Sequence, residues 1–134
     1  MHGREIVEHM LANDIFSQWL GLELIASEPG RCELTCTVRN EMLNGHLIGH
    51  GGITYSISDS ALAFASNAHG NRCVSIETSI SHIRPVKEGD RLQAVCEEVS
   101  RGKSIATYIS TVTNQENKVV SRFKGTVHIS EETW

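Results

Sequence analysis

One segment limits what this chain can fold into, because it is apolar over most of a helical surface. Between residues 53 and 68, apolar side chains recur at three- and four-residue intervals, and many of them are small. The members of this stripe are Ile53, Ile57, Ala61, Phe64, Ala65 and Ala68. A stripe this wide predicts a helix over Ile53–Ala68 that other elements enclose, rather than a helix lying on the surface.

The segments on either side of this helix carry the patterns of elements that could enclose it. Helical spacing over Arg4–Leu20 predicts two short consecutive helices. Strands are predicted over Leu22–Glu28 and Arg31–Arg39, with a Pro-Gly turn between them. The glycine-bearing segment Asn40–His50 has no usable period and is predicted as a loop, and Arg72–His128 is typical of four strands joined by short turns. This order predicts an antiparallel sheet covering one enclosed helix, an α+β architecture.

The composition is that of one ordinary domain and argues against two classes of partner. The chain has 134 residues, 40% hydrophobic and 21% charged, which fits a single domain over residues 1–134. A formal charge of −4 gives no general attraction to nucleic acid or to an anionic membrane. No stretch approaches the roughly 20 apolar residues of a membrane span, and the start, MHGREIVEHM, lacks the apolar run of a secretory signal. We therefore expect a cytoplasmic protein with no nucleic-acid and no membrane partner.

The cysteines fit a reducing compartment. None of the four, Cys32, Cys36, Cys73 and Cys96, forms a CxxC pair, and each sits among apolar, strand-like residues. Cys32 and Cys36 would lie roughly 13 Å apart in one strand, too far for a disulfide. We expect reduced, buried thiols.

Several familiar catalytic motifs are missing from the chain. There is no GxSxG, no GxxxxGK[ST] and no GxGxxG after a strand, which argues against serine-hydrolase and nucleotide-hydrolysing chemistry. His46 and His50 have the four-residue spacing of zinc ligands in HExxH, but HLIGH lacks the glutamate and lies in a loop. We expect neither a metal site nor a cofactor.

The segment Asn44–Ser60 is the first candidate for chemistry, because a polar, glycine-rich loop leads directly into an apolar helix. Free backbone N–H groups and the positive end of the helix dipole converge at such a start. The amides of Gly51 and Gly52 could therefore bind a carbonyl oxygen and stabilise the negative charge that develops when the carbonyl is attacked. A Gly-Gly pair is also typical of a plain loop-to-helix transition, so both interpretations stay open.

Asp59 is the second candidate, since it lies two turns into this helix, close to Ile57 and Ala61. A carboxylate is costly to bury there unless it is paired or used. It could act as a general base or a nucleophile, or it could face solvent on a polar stripe with Ser56 and Ser60, and periodicity does not decide. Three other polar residues are interpreted as parts of strands or turns: Glu77, His82 and Asp90.

Several motifs together resemble one family. The chain carries LNGH, then HGG with an aspartate nine residues after its histidine, then DSALAFASN, HIRPVKEGDRL, RGK and a final strand VVSRFKGTVH. From NDIFSQWLG to His128 it resembles the hotdog-fold acyl-CoA thioesterases of the phenylacetic acid degradation (PaaI) type. The resemblance implies one hotdog domain over 1–134, with short N-terminal helices and a long central helix wrapped by a curved antiparallel sheet. It also implies homodimers whose sheets join, usually paired again into homotetramers.

The resemblance further implies an activity, the hydrolysis of acyl-CoA to a carboxylic acid and free CoA, and residues for it. The family's aspartate falls on Asp59, its carbonyl-polarising amide on Gly51, and further contacts on Asn44 and His50, while Ser60 takes the place of a neighbouring hydroxyl residue. In such enzymes the thioester lies at the subunit interface, so Gly51 of one chain would face Asp59 of the other. A lone protomer should then be inactive. Whether Asp59 activates water or attacks directly is left open.

Coenzyme A is part of the substrate here, and its phosphates need local cations because the net charge is negative. Four basic residues lie in or beside the turns that follow the helix: Arg84, Lys87, Arg101 and Lys103. They are candidates for binding the phosphates, and they are also typical of solubilising turn residues.

The expected acyl group and two alternative functions also follow from the resemblance. Aromatic or medium-chain acyl groups, such as phenylacetyl-CoA derivatives, are expected, although Ser56 and Ser58 stand where relatives often carry more apolar residues. A hydratase or dehydratase is disfavoured, because no DxxxxH spacing occurs near Asp59. The alternative from another class is a non-catalytic acyl-CoA-binding hotdog domain.

Overall fold

A computed structural model of the chain describes residues Met1–Trp134 as three α-helices packed on one six-stranded sheet. The helices are α1 (Gly3–Asn13), α2 (Ile15–Leu20) and α3 (Gly51–Asn67). The strands are β1 (Glu23–Glu28), β2 (Arg31–Thr37), β3 (Asn71–His82), β4 (Arg91–Arg101), β5 (Ile105–Thr113) and β6 (Val119–Thr133). The predicted α+β class, the two short N-terminal helices and the four C-terminal strands are confirmed.

The sheet is antiparallel throughout, in the order β1-β2-β4-β5-β6-β3. Three of its contacts are hairpins between consecutive strands, whereas α3 carries the chain from β2 to the opposite edge, where β3 pairs with β6. The β1–β2 hairpin closes through Gly30, whose φ of +83° is a conformation that other residues rarely adopt. In this strand order β1 and β3 are the two edge strands, and the curved sheet stays open.

Helix α3 is enclosed, as its apolar stripe predicted. Ile57, Ala61 and Ala65 are completely buried against the sheet. The helix comes so close to β6 that a Cβ placed on Gly125 would lie 2.4 Å from Leu62 Cδ2. A side chain larger than that of glycine at this point of the strand would therefore force Leu62 to shift. None of the three helices combines the length and apolar content needed to cross a membrane.

The ends of α3 differ from the prediction in a way that matters for the site. The helix begins at Gly51 instead of Ile53 and ends at Asn67 instead of Ala68. Glycine is a poor helix former, so the pattern placed the start too late. The side chain of His50 overrides that preference, because it caps the helix by accepting a hydrogen bond from the Gly52 amide.

The cysteines are all free thiols. Cys32, Cys36 and Cys96 are buried as expected, whereas Cys73 on β3 is only half-buried. Burial raises the pKa of Cys32 and of Cys96 to about 12, so both thiols stay protonated and unreactive at neutral pH.

Candidate active site

The two main candidates, Gly51 and Asp59, lie on one helix but face different spaces. They are separated by eight residues, about 12 Å along an α-helix. Gly51 lines a cleft of ≈ 360 Å³, called here the Gly51 cleft. Asp59 lines a cavity of ≈ 250 Å³, the Asp59 cavity, which has no lining residue in common with the cleft.

The Gly51 cleft lies between the loop before α3, the start of α3 and the end of β3. Its lining residues are Asn44, Ile48, Gly49, Gly51, Thr54, His82, Ile83, Arg84, Pro85 and Val86. Main-chain hydrogen bonds hold the loop, with Gly49 N–H donating to Val86 O at 2.6 Å and His50 N–H to Met42 O at 2.8 Å. The wall of the cleft is therefore fixed largely by backbone.

The first-turn amides of α3 have different partners. Gly52 N–H donates to His50 Nδ1 at 2.8 Å, and Ile53 N–H donates to His50 O at 2.9 Å. Gly51 N–H makes no hydrogen bond within the chain. Of the two glycine amides predicted as donors, only that of Gly51 is thus free to bind a carbonyl oxygen, at the positive end of the helix dipole. His50 serves as the helix cap, and because its Nδ1 accepts, its neutral ring carries the proton on Nε2.

Asn44 supplies a second polar group to the Gly51 cleft. Its side-chain oxygen accepts from His46 N–H at 2.9 Å and from Ile48 N–H at 3.4 Å, which fixes the side chain within the loop. Its side-chain NH₂ makes no hydrogen bond in the chain. An amide donor therefore remains for a ligand in the cleft.

His82 was missed as a site residue by sequence reasoning. His82 is the last residue of β3, so its prediction as a strand or turn residue is confirmed. It also lines the cleft. Its Nε2 lies 3.1 Å from the point that a Cβ on Gly51 would occupy, and its Nδ1 lies 3.3 Å from Thr54 Oγ1. No alternation along β3 reveals this position, because it depends on where β3 ends relative to the start of α3.

The Asp59 cavity is formed by side chains of α3, β3 and β6. Its lining residues are Asp59, Leu62, Ala63, Ser66, Cys73, Val74, Ser75 and Val127. The half-buried Asp59 carboxylate has no hydrogen-bond or ion-pair partner. Burial raises the pKa of Asp59 above its ordinary value, and the negative charge of Asp14 raises it further. Ser75, which the sequence did not single out, also lines this cavity.

Ser60 faces away from both spaces, toward α2. Its Oγ lies 2.8 Å from Oγ of Ser17, a completely buried residue. Ser60 is therefore a contact between α2 and α3 directly beside Asp59 in the chain.

The four basic candidates divide between the two ends of α3. Arg84 lines the Gly51 cleft and donates from Nη1 to Val119 O at 2.7 Å, and the exposed Lys87 follows in the next turn. Arg101 ends β4 and lies close enough to Cys73 to lower the pKa that burial of this thiol raises. The exposed Lys103 lies in the turn after Arg101. Within one chain, only Arg84 and Lys87 are near the Gly51 cleft.

Comparison with known proteins places this geometry in a family. The family model of the thioesterase superfamily matches residues 45–121. A putative esterase of Archaeoglobus fulgidus is 36% identical over 123 residues, which cover 92% of this chain and 80% of the relative. The acyl-coenzyme A thioesterase PaaI of Escherichia coli is 36% identical over 119 residues, 89% of this chain and 85% of the relative.

Solved structures agree with the sequence relatives. The structure of E. coli PaaI, from the phenylacetic acid degradation operon, superposes with a TM-score of 0.92 at 35% identity, covering 94% of this chain and 91% of that one. A Streptococcus mutans protein bound to acetyl CoA gives a TM-score of 0.81 at 25% identity, covering 84% of this chain and 91% of that one. The resemblance and the hotdog fold are confirmed: the chain belongs to the thioesterase superfamily, and within it to the PaaI type.

Proposed function

We propose that this protein hydrolyses acyl-CoA thioesters to a carboxylic acid and free CoA. The observation that carries the proposal is the unpartnered N–H of Gly51, which lies in a cleft at the start of an enclosed helix. The E. coli relative named acyl-coenzyme A thioesterase and the S. mutans neighbour that holds acetyl CoA support it. Aromatic or medium-chain acyl groups, such as phenylacetyl-CoA derivatives, are the proposed substrates.

The Gly51 cleft would act on the thioester carbonyl. A carbonyl oxygen bound to Gly51 N–H gains negative charge as the carbon is attacked, and the amide with the helix dipole stabilises that charge. The free NH₂ of Asn44 in the same cleft is the proposed second donor. His50 contributes by capping the helix, which holds the first turn of α3 in place.

Asp59 is the proposed base or nucleophile. Because burial and Asp14 raise its pKa, its ionised form is a stronger proton acceptor than an ordinary aspartate. As a base, it takes a proton from a water molecule whose oxygen bonds to the acyl carbon. The carbon–sulfur bond then breaks, and the CoA thiolate leaves and takes up that proton. As a nucleophile, Asp59 forms an acyl anhydride as CoA leaves, and water then hydrolyses the anhydride.

The separation of Gly51 and Asp59 supports a site built from two copies of the chain. Strand β3 runs from Cys73 and Ser75 at the Asp59 cavity to His82 at the Gly51 cleft, and its outer edge is unpaired. On this strand Val74 is 65% exposed and Ile76 is 59% exposed. Exposed apolar side chains on an unpaired edge strand favour pairing with another strand.

Antiparallel pairing of two β3 edges would complete the site. Each copy's Gly51 cleft would then lie beside the Asp59 cavity of its partner, because the two ends of β3 would exchange positions. We therefore propose a homodimer with two shared sites, paired further into a homotetramer, and an inactive lone protomer.

The same pairing suggests how the CoA phosphates are bound. Arg84 and Lys87 lie toward the cleft end of α3, while Arg101 and Lys103 lie toward the other end. In the proposed dimer, the first pair from one copy and the second pair from its partner would flank one site. No cofactor beyond the CoA of the substrate is proposed, and the cytoplasmic location expected from the sequence stays a prediction.

The proposal is tested by thiol release from acetyl-, hexanoyl-, decanoyl-, benzoyl- and phenylacetyl-CoA. Wild type, Asp59→Asn and the surface control Glu131→Gln are compared side by side. We expect turnover by wild type and by the control, and a loss of about 10²–10⁴-fold in Asp59→Asn with substrate binding retained. Absence of release from every thioester, together with tight acyl-CoA binding by all three proteins, would instead establish a binding domain.

A further inference from the structure

Three side chains form a hydrogen-bonded chain that joins α2 to α3 next to Asp59. Ser17 Oγ donates to Asp14 Oδ2 at 2.6 Å, and Ser17 Oγ lies 2.8 Å from Ser60 Oγ. Ser17 is completely buried, and Ser60 directly follows Asp59 in the sequence. This hydrogen-bonded chain therefore links a carboxylate at the start of α2 to the middle of α3.

The hydrogens in this chain can be assigned from the chemistry of its members. A carboxylate only accepts, so the single hydroxyl hydrogen of Ser17 is given to Asp14. Ser17 Oγ must then accept from Ser60, whose own hydrogen is used in that bond. The donors thus run in one direction, from Ser60 to Ser17 to Asp14, and an ionised Asp14 sets that direction.

Capping of α2 does not explain why residue 14 is an aspartate. Asp14 Oδ1 accepts from Ser17 N–H at 3.0 Å, which caps the helix, but asparagine caps helices equally well. The additional features of the carboxylate are its bond to Ser17 Oγ and its negative charge near Asp59. That charge makes the pKa of Asp59 higher than burial alone does. Two carboxylates near one another are unfavourable, and such arrangements concentrate at functional sites.

The other surroundings of Asp59 leave Asp14 as the charge that acts on it. On β3, the titratable group of the Asp59 cavity is the Cys73 thiol, and β6 contributes the apolar Val127. No lysine, arginine or histidine lines this cavity. A change in the charge of Asp14 should therefore change the pKa of Asp59 directly.

We propose that Asp14 is a positioning residue for Asp59, which fixes α2 against α3 through Ser17 and Ser60 and whose negative charge acts on Asp59. The inference rests on the proposed function in one respect, since it assumes that Asp59 takes part in thioester hydrolysis. Its two parts, position and charge, can be separated by different substitutions.

Asp14→Asn removes the charge and keeps the cap, with its NH₂ group donating to Ser17 Oγ where the carboxylate accepted from it. We expect the acid limb of the kcat/KM profile against pH to move to lower pH, because Asp59 then ionises more readily. We also expect a several-fold lower kcat on the plateau, since a weaker base accepts the proton less well. KM and the melting temperature should stay close to those of wild type, and Glu131→Gln, which removes one exposed carboxylate elsewhere, should leave the profile unchanged.

Ser60→Ala breaks the hydrogen-bonded chain but keeps the charge of Asp14. It should lower kcat by about tenfold, the effect of one lost hydrogen bond on an activation barrier, without moving the acid limb. An unchanged kcat in Ser60→Ala would overturn the positioning part of the proposal. An unmoved acid limb in Asp14→Asn would overturn the electrostatic part.

A titration of the Asp59 carboxyl carbon by NMR separates this inference from the proposed function. In Asp14→Asn the midpoint of that titration should fall relative to wild type, whether or not the protein hydrolyses the thioester used. If wild type releases no thiol, the proposed function fails while the titration still decides whether Asp14 acts on Asp59. If wild type is active and the midpoint does not move, the inference fails while the proposed function stands.

Discussion

The Gly51 cleft and the Asp59 cavity are built in different ways, although one helix contributes to both. In the cleft, the proposed oxyanion donor is a main-chain amide, and main-chain hydrogen bonds from Gly49 and His50 hold the surrounding loop. In the cavity, the proposed base or nucleophile is the side chain of Asp59, whose pKa is raised by burial and by the charge of Asp14. The cleft should therefore respond to changes in backbone geometry, and the cavity to changes in charge and core volume.

After the loss of turnover expected in Asp59→Asn, the largest effect is expected at the backbone amide of the Gly51 cleft. Gly51 is the first residue of α3, a position where proline fits a helix, and His50 before it has φ −59° and ψ +138°, which proline also allows. Gly51→Pro thus removes the N–H while keeping the helix. We expect kcat to fall by about 10²–10³-fold, the cost of one lost oxyanion donor, measured by thiol release.

Gly51→Ala is the matched control for this substitution. Both variants place a Cβ about 3.1 Å from His82 Nε2, but alanine keeps the N–H. The difference in kcat between the two variants therefore isolates the hydrogen bond from the crowding. Equal activities in the two variants would mean that the Gly51 amide does not bind the oxyanion.

The next prediction tests whether the cleft and the cavity come from different subunits. Gly51→Pro and Asp59→Asn, each inactive alone, are mixed and allowed to exchange subunits. Half of the dimers formed at random are mixed, and one of the two sites in each is intact, so we expect about a quarter of wild-type activity. As a control, the variant carrying both substitutions is exchanged with wild type, and its mixed dimers should be inactive. Absence of recovery in the first mixture would place both groups of one site in a single subunit.

The sequence predicted the elements well because their signals are local. The enclosed helix followed from the spacing of residues such as Ile57, Ala61 and Ala65, and the four C-terminal strands from turn signals between alternating residues. The start of α3 at Gly51 was missed, since the His50 cap outweighs the low helix propensity of glycine.

The site was predictable only in part, because it depends on contacts between distant segments. Gly51 and Asp59 could be proposed from motif resemblance, but their separation into two cavities could not. His82 lines the Gly51 cleft and Ser75 lines the Asp59 cavity only because β3 lies alongside α3.

A smaller effect, on stability, is expected for a substitution at Gly125, which packs against a side chain that lines the Asp59 cavity. A Cβ on Gly125 would lie 2.4 Å from Leu62 Cδ2, and Leu62 lines the cavity. Gly125→Ala should therefore lower the free energy of unfolding by about 1–3 kcal/mol, as overpacking does, in urea denaturation. Gly45→Ala is the control, because nothing lies within 4 Å of its added Cβ, and it should change stability by less than about 0.5 kcal/mol. A similar loss in both variants would exclude the close contact as the cause.

The smallest effect concerns the stability cost of keeping Asp59 in its cavity. Its pKa is raised by burial and by Asp14, so the folded chain holds this proton more tightly than the unfolded chain does. Stability is then full below the pKa of the unfolded state and decreases as pH rises through the folded value. Asp59→Asn cannot ionise and should be slightly more stable than wild type at neutral pH, with the gain vanishing at acidic pH, as followed by thermal melts across that range. The control Glu131→Gln, on the exposed surface, should show no such pH-dependent difference. A variant less stable than wild type at neutral pH would mean that the fold stabilises the carboxylate, and the argument that Asp59 is held ready as a base would fail.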